Sequence, residues 1–359
     1  MKLRRPCGRA FIVVLCTTVL SVAQALWAQQ TKEKVMVDDV ERNYVLRLPK
    51  GYDAQQHYPV VILLHGSNQD ADDVQRITRF DELADKDGVI AVYPSALHGR
   101  WNIGVRPPEQ RPQSMGPRRR RYGYPGGGYP GGGYPGGGYP GGGRQRPDNR
   151  GPRDEKRATP ADDIAFFNQM LDQLATKVSL DTSRIYAAGL SDGGFMSMRV
   201  GCALSDRVAA VATVGAAMPK TMICLPSRPV SVVMINGTSD PVVPYGGGTE
   251  HNRNLRTLSA EDTAKAWAKI DRCAEKPERS KLPHSKGGME TKIDTFKGCQ
   301  QDAQVVLYSA KGAGNTWPGG EQYEAEKTVG KTSPEPNANE VIWNFFVKSK
   351  LPSEGKDKK

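Results

Sequence analysis

The stretch that most constrains this chain is Gly189-Leu190-Ser191-Asp192-Gly193-Gly194. It lies between the strand-like run Arg184-Ile185-Tyr186-Ala187-Ala188 and the helix-like run from Phe195 to Leu204. A strand, a sharp turn and a helix therefore meet at Ser191. Glycines two residues before and two residues after the serine match G-x-S-x-G, a pattern in which small neighbours let the backbone turn tightly and lift a hydroxyl above the end of a sheet. Gly194 adds another residue without a Cβ, so the helix can pack closely on the preceding strand. The alternative is a glycine-rich turn with an incidental serine, and the rest of the chain has to decide between them.

Other segments supply the sheet that such an elbow needs. Val60-Val61-Ile62-Leu63-Leu64 and Val89-Ile90-Ala91-Val92-Tyr93-Pro94 are continuous apolar runs rich in β-branched residues, the pattern of strands buried on both faces of a parallel sheet. Between them Ile77, Phe80, Leu83 and Ala84 recur at helical spacing, which establishes a β-α-β alternation. Val35-x-Val37 and Tyr44-Val45-Leu46-Arg47-Leu48 predict a leading hairpin. Thr159-Pro160-Ala161-Asp162-Asp163 predicts a helix start with a hydroxyl cap, followed by an apolar stripe of Ile164, Phe167, Leu171, Leu174 and Val178. After the elbow helix, Val208 to Val214 and Val230 to Ile235 predict buried strands, 260–271 a helix, and 291–296 and 304–309 strands. Asn337-x-x-Glu340 caps a last helix carrying Val341, Ile342, Phe345 and Phe346. The expectation is a single α/β domain over 29–349, with a mostly parallel sheet covered by helices on both faces.

The formal net charge of +11 suggests nucleic acid until its distribution is read. Residues 1–28 hold four basic residues and no acidic one, and 106–157 hold twelve basic against four acidic, so the remainder is close to neutral. The first of these segments, with Lys2, Arg4 and Arg5 before the apolar run Ala10 to Leu26 and small residues at Ala23, Ala25 and Ala28, reads as a secretory signal peptide. A lasting membrane helix is the alternative, but the run is short and carries Thr17, Thr18, Ser21 and Gln24. The second holds Arg118 to Arg121 and four consecutive Tyr-Pro-Gly-Gly-Gly units from Tyr124 to Gly143. Such a composition has too little apolar surface to offset the entropy of ordering it, so 106–157 is expected to be a disordered insert. It reads as a solvated repeat expansion, or as an adhesive for an anionic surface; no folded module for specific nucleic acid is present. Residues 350–359 form a charged tail.

Removing the leader leaves Cys202, Cys224, Cys273 and Cys299, an even number in a chain bound for an oxidising compartment, outside the cell or in a periplasm. Of the three pairings, the expected one is local: Cys202 with Cys224 and Cys273 with Cys299. No two of these cysteines lie close together and no His pair accompanies them, which argues against a metal site.

Acyl transfer by a serine needs a nucleophile, a general base, a carboxylate to orient the base, and donors for the oxyanion. Ser191 is the candidate nucleophile. Asp240, just past a buried strand in Gly237-Thr238-Ser239-Asp240-Pro241, stands where the triad acid is expected in the order Ser, acid, His, although a turn-forming Asp reads the same way. The oxyanion donors would be the backbone N–H of Asp192 and one from the loop at Ser67. His65 in His65-Gly66-Ser67 reads as a structural or loop-orienting residue.

Taken together, Leu64-His65-Gly66, Trp101-Asn102, Asp162-Asp163-Ile164, the elbow, Gly237 to Pro241 with Val243-Pro244-Tyr245, and Gly314-Asn315-Thr316-Trp317-Pro318-Gly319-Gly320 give a specific set in a specific order. The chain resembles secreted esterases of the polyhydroxybutyrate depolymerase and feruloyl esterase type over about 34–104 and 158–349. The resemblance implies an α/β-hydrolase fold, no cofactor, and extracellular hydrolysis of a small ester or ester-containing polymer: a polyester, or feruloyl or acetyl groups on plant polysaccharide; no segment after the leader is long and apolar enough for a membrane span in the mature chain. It also places the catalytic His in a Gly-His-x-Trp-Pro-Gly string, and here that position is Asn315. An amide cannot act as general base near neutral pH. Asn236 likewise stands where relatives often have His. His251 and His284 follow Asp240 in the required chain order, but both lie in polar, loop-like stretches. Two expectations follow: a serine ester hydrolase with a missing or altered base, or a binding protein on a hydrolase scaffold.

Overall fold

Runs of β-branched and aliphatic residues form the central strands, and polar turn residues end them. The computed structural model describes residues 29–105, 162–251, 254–283 and 288–352. The expected leader, the 106–157 insert, the end of the charged tail and His284 lie outside the described residues.

Strands β1 (Gln30–Val37) and β2 (Val40–Arg47) form an antiparallel hairpin that turns at Asp38 and Asp39, with φ of 46° and 63°. β3 (Tyr58–Leu64) and β4 (Ile90–Pro94) are buried along their whole length. Between them, α1 (Ala71–Thr78) and α2 (Phe80–Asp87) replace the single helical stretch that the spacing predicts. Arg79, at φ 50°, breaks the helix, and the bend lets Ile77 and Phe80 both bury fully from differently directed turns.

Helix α3 (Asp163–Lys177) is capped by Asp162, whose carboxylate accepts the N–H of Ala165. Thr159, the expected cap, lies outside the described residues; Asp162 supplies the acceptor and Asp163 turns inward to a buried arginine. Its buried face is Phe166, Phe167, Met170, Leu171 and Leu174, while Ile164 and Val178 are only partly buried. β5 (Leu180–Leu190), α4 (Asp192–Ala203), β6 (Ala210–Val214) and β7 (Ser231–Gly237) follow. β8 (Gly248–Glu250) and β9 (Leu255–Thr257) make a small separate hairpin sheet before α5 (Ala260–Ile270). The chain ends with β10 (Glu278–Leu282), β11 (Thr291–Phe296), β12 (Val305–Ala310), α6 (Glu326–Val329) and α7 (Ala338–Phe346).

The main sheet has the order β1-β2-β4-β3-β5-β6-β7-β12-β11-β10. From β4 to β12 neighbouring strands are parallel, and antiparallel strands close both edges. Helices α3, α4 and α5 pack on one face, and α1, α2 and α7 on the other. This is the α/β-hydrolase fold. Its topology brings the carboxyl ends of β3, β5, β6, β7 and β12 to one rim, where ligands bind in sheets of this kind. Disulfides Cys202–Cys224 and Cys273–Cys299 tie the end of α4 to the loop before β7 and the end of α5 to the segment before β12. Among the described residues, no helix is long and apolar enough to cross a membrane.

Candidate active site

The turn from β5 to α4 takes a single residue. Ser191 has φ 54° and ψ −113°, a region that a residue with a side chain enters only when its surroundings enforce it. Here its N–H donates to Val214 O at 2.8 Å and its carbonyl accepts from the N–H of Phe195 at 3.1 Å. The flanking glycines are demanded by contact. A Cβ on Gly189 would lie 2.2 Å from Gly193 O, and one on Gly193 would lie 2.1 Å from Leu64 O. Helix α4 thus starts against both β5 and its neighbour β3. Ser191 is 5% exposed, and no described side chain hydrogen-bonds its hydroxyl.

Past the ends of β7 and β12, Asp240 and Asn315 meet. Asp240 Oδ1 accepts the N–H groups of Val242 and Val243, each at 2.8 Å, and its Oδ2 accepts Asn315 Nδ2 at 2.7 Å. Burial pushes the Asp240 carboxyl up to about 7, against the opposing pull of the Asn315 amide and the two backbone donors. Asn315 is fully buried and anchored at its own backbone, where Val329 O accepts its N–H at 2.6 Å and the Tyr323 hydroxyl donates to its carbonyl at 2.9 Å. The second hydrogen of Nδ2 goes to Gly215 O at 2.8 Å. A backbone carbonyl can only accept, so the amide nitrogen must face Gly215 O, and Asp240 Oδ2 lies on the same side. The amide oxygen is therefore left buried without a partner among the described residues. Gly215 follows Val214, which holds the Ser191 N–H, so one connected set spans the ends of β5, β6, β7 and β12.

Among the described residues, no histidine hydrogen-bonds to Ser191 or Asp240. His65 is fully buried; its Nδ1 lies 2.7 Å from Gly66 O and its Nε2 accepts the N–H of Ala96 at 3.0 Å. The proton therefore sits on Nδ1 and donates to Gly66 O, and burial lowers the pKa of the neutral ring. With both nitrogens tied to backbone, His65 orients its loop. His251 is exposed, and so are His57, which pairs with Ser179, and His98. Asn236 donates to Ala216 O at 2.9 Å, and its amide oxygen has no partner among the described residues.

On the β3 side, Ser67 is half-buried and its N–H has no acceptor among the described residues, while the N–H of Asp192 opens the first turn of α4. Next to both runs the segment Trp101-Asn102. The Trp101 N–H donates to Asp192 Oδ2 at 3.1 Å, its indole Nε1 donates to His65 O at 3.0 Å, and the Asn102 N–H donates to Asp163 Oδ2 at 2.6 Å. The other oxygen of Asp163 accepts from Arg42 Nη2 at 2.6 Å, in an ion pair whose side chains are 1% and 0% exposed. Sequence reasoning misses Arg42 altogether, since it is 121 residues from its partner and sits among polar residues at the start of β2.

An α/β-hydrolase with a serine elbow and a buried carboxyl–amide pair beside it is the class of protein that the fold and the site define. The family model for esterase PHB depolymerase matches residues 42–102. Feruloyl esterase B of Piromyces equi is 30% identical over 164 residues, covering 44% of this chain and 29% of that protein. The putative esterase NocK of Nocardia uniformis subsp. tsuyamanensis is 23% identical over 334 residues, covering 89% of this chain and 83% of that protein. Of solved structures, acetyl xylan esterase from Aspergillus awamori has a TM-score of 0.49 at 13% identity, covering 80% of this chain and 94% of that one. The chain thus spans less than a third of the Piromyces protein and most of NocK. It resembles esterases of the polyhydroxybutyrate depolymerase and feruloyl esterase type, as its motifs imply.

Proposed function

We propose that this protein is a secreted carboxylic-ester hydrolase of the serine type, acting on a polyester or on feruloyl or acetyl esters of plant polysaccharide. Ser191 is the nucleophile, Asp240 the acid of the triad, and Asn315 occupies the place of the base. The backbone N–H groups of Ser67 and Asp192 receive the oxyanion. The observation that carries this reading is the strained elbow at Ser191 with Asp240 and Asn315 joined at 2.7 Å beside it. The two disulfides accord with export.

With Asn315 in place of an imidazole, proton removal from Ser191 has no dedicated acceptor, and turnover is correspondingly slow. In serine proteases, loss of the base costs about 10⁶ in kcat and leaves ~10³–10⁴ over water from binding and the oxyanion hole. A second reading, a binding protein for such esters, is favoured by one fact: both N–H groups of the Asn315 amide are spent on acceptors that need them. Hydrolysis of a short-chain nitrophenyl ester by the mature protein, beside Ser191→Ala, separates the two. Activity that disappears in Ser191→Ala supports the enzyme; equal background in both proteins refutes it.

A further inference from the structure

The Trp101-Asn102 and Asp162-Asp163 strings take no part in the chemistry described so far, yet they converge on it. We infer that Asp163 is a positioning residue for the oxyanion hole, acting through the Trp101-Asn102 strap that it holds against Asp192 and the His65-Gly66-Ser67 loop. The inference rests on the assignment of Ser67 and Asp192 as oxyanion donors.

The strap's two successive N–H groups go to carboxylates on different elements, Trp101 to the first residue of α4 and Asn102 to the first residue of α3. The Trp101 indole holds the other side of the hole through His65 O. Its ring, 1% exposed, lies between the His65 ring at 4.9 Å and the Phe167 ring at 5.7 Å, so it cannot shift without moving one of them. Asp163 is itself immobilised: Arg42 of β2 grips its other oxygen, and the Arg42 guanidinium stacks 4.1 Å from the centre of the Phe166 ring. Both donors are thereby referred to one strap, and the strap to one buried carboxylate. Misplacing a reacting group by about 1 Å costs ~10² in rate, and losing one oxyanion donor costs ~10²–10³ in kcat.

A role in stability alone and a role in positioning separate in two variants of the mature protein. Arg42→Met leaves Asp163 bonded to the strap but strands a buried charge. Arg42→Met with Asp163→Leu removes both charges, an exchange that is often neutral for stability, and frees the strap. The readouts are melting temperature, kcat and KM on a nitrophenyl ester, and affinity for butylboronic acid, whose tetrahedral adduct on Ser191 places an oxygen in the hole. The single variant is expected to melt lower than wild type and to lose less kcat per folded molecule than the double variant, because the Asp163 bond to Asn102 remains. The double variant is expected to regain melting temperature, lose ~10–100-fold in kcat and boronate affinity, and keep KM within about twofold. Wild-type kinetics and boronate affinity in the double variant would overturn the inference and leave the esterase reading standing. If wild type neither turns over nor binds boronate beyond Ser191→Ala, the reading fails and the inference falls with it.

Discussion

Asn315→His is the most informative single change in this molecule, and the structure allows its size to be worked out. The amide nitrogen lies 2.7 Å from Asp240 Oδ2, so an imidazole on the same Cβ can donate Nδ1–H to a carboxylate already held by Val242 and Val243. The amide oxygen has no partner among the described residues, so removing it forfeits no protein hydrogen bond. The one bond given up is that to Gly215 O, a loss of about 1 kcal/mol in stability. Room exists because residue 215 is glycine: a Cβ there would already sit 2.7 Å from the amide nitrogen. A full triad base is worth about 10⁶ in kcat, or about 8 kcal/mol. A ring placed in a site shaped around an amide should recover the more general ~10²–10⁴, about 3–5 kcal/mol. The gain should fall on kcat with KM little changed, since the base acts in the transition state. The pH profile should also acquire a limb that rises through an imidazole pKa of about 6.5, because only the neutral ring accepts a proton. Initial rates on nitrophenyl butyrate from about pH 5 to about pH 9 measure both effects. A folded Asn315→His protein no faster than wild type would refute the assignment of residue 315 to the position of the base.

Two further outcomes follow from the described geometry. Burial pushes both Asp240 and Asp271 up to about 7, whereas an unfolded Asp titrates at about 3.9, so the folded state binds more protons between those values. Stability should therefore decline as pH rises from about 4 to about 7, by up to about 8 kcal/mol from the two carboxyls, offset in part by His65, whose lowered pKa favours the folded state as pH rises. Calorimetry should show this fall, shallower in Asp271→Asn, and a melting temperature that climbs across the interval would contradict it. Gly193→Ala should cost at least ~2 kcal/mol or abolish soluble protein, because the added Cβ meets Leu64 O at 2.1 Å. Gly246→Ala, with nothing within 4 Å, is the control expected to leave the denaturation midpoint in place, and equal midpoints for the two variants would sink the steric argument.

The parts legible in the sequence are those where burial dictates composition. β3, β4, β6 and β7 have both faces covered, so each is a nearly unbroken aliphatic run that admits one interpretation. The elbow was legible for a related reason, since its glycines answer to contacts made within a few residues and against one neighbouring strand. β10, Glu-Arg-Ser-Lys-Leu at the sheet edge, is exposed along most of its length and carries no alternation to read. The split of α1 from α2 hinges on the backbone of Arg79, a residue type that gives no sign of a left-handed conformation. At the site, the sequence could show that position 315 holds an amide but not how that amide is spent. Its commitment to Gly215 and Asp240 is a matter of three loops meeting, as is the pairing of Arg42 with Asp163.

The bond from the Asn102 N–H to Asp163 has a consequence for how this protein can change over generations. It closes a ring at the mouth of the span between the two residues, and the ion pair with Arg42 locks that ring to the sheet. Doubling the length of chain between two points pinned in this way costs only about 0.6 kcal/mol in closure entropy, so a change in the number of Tyr-Pro-Gly-Gly-Gly units is expected to shift stability by less than that.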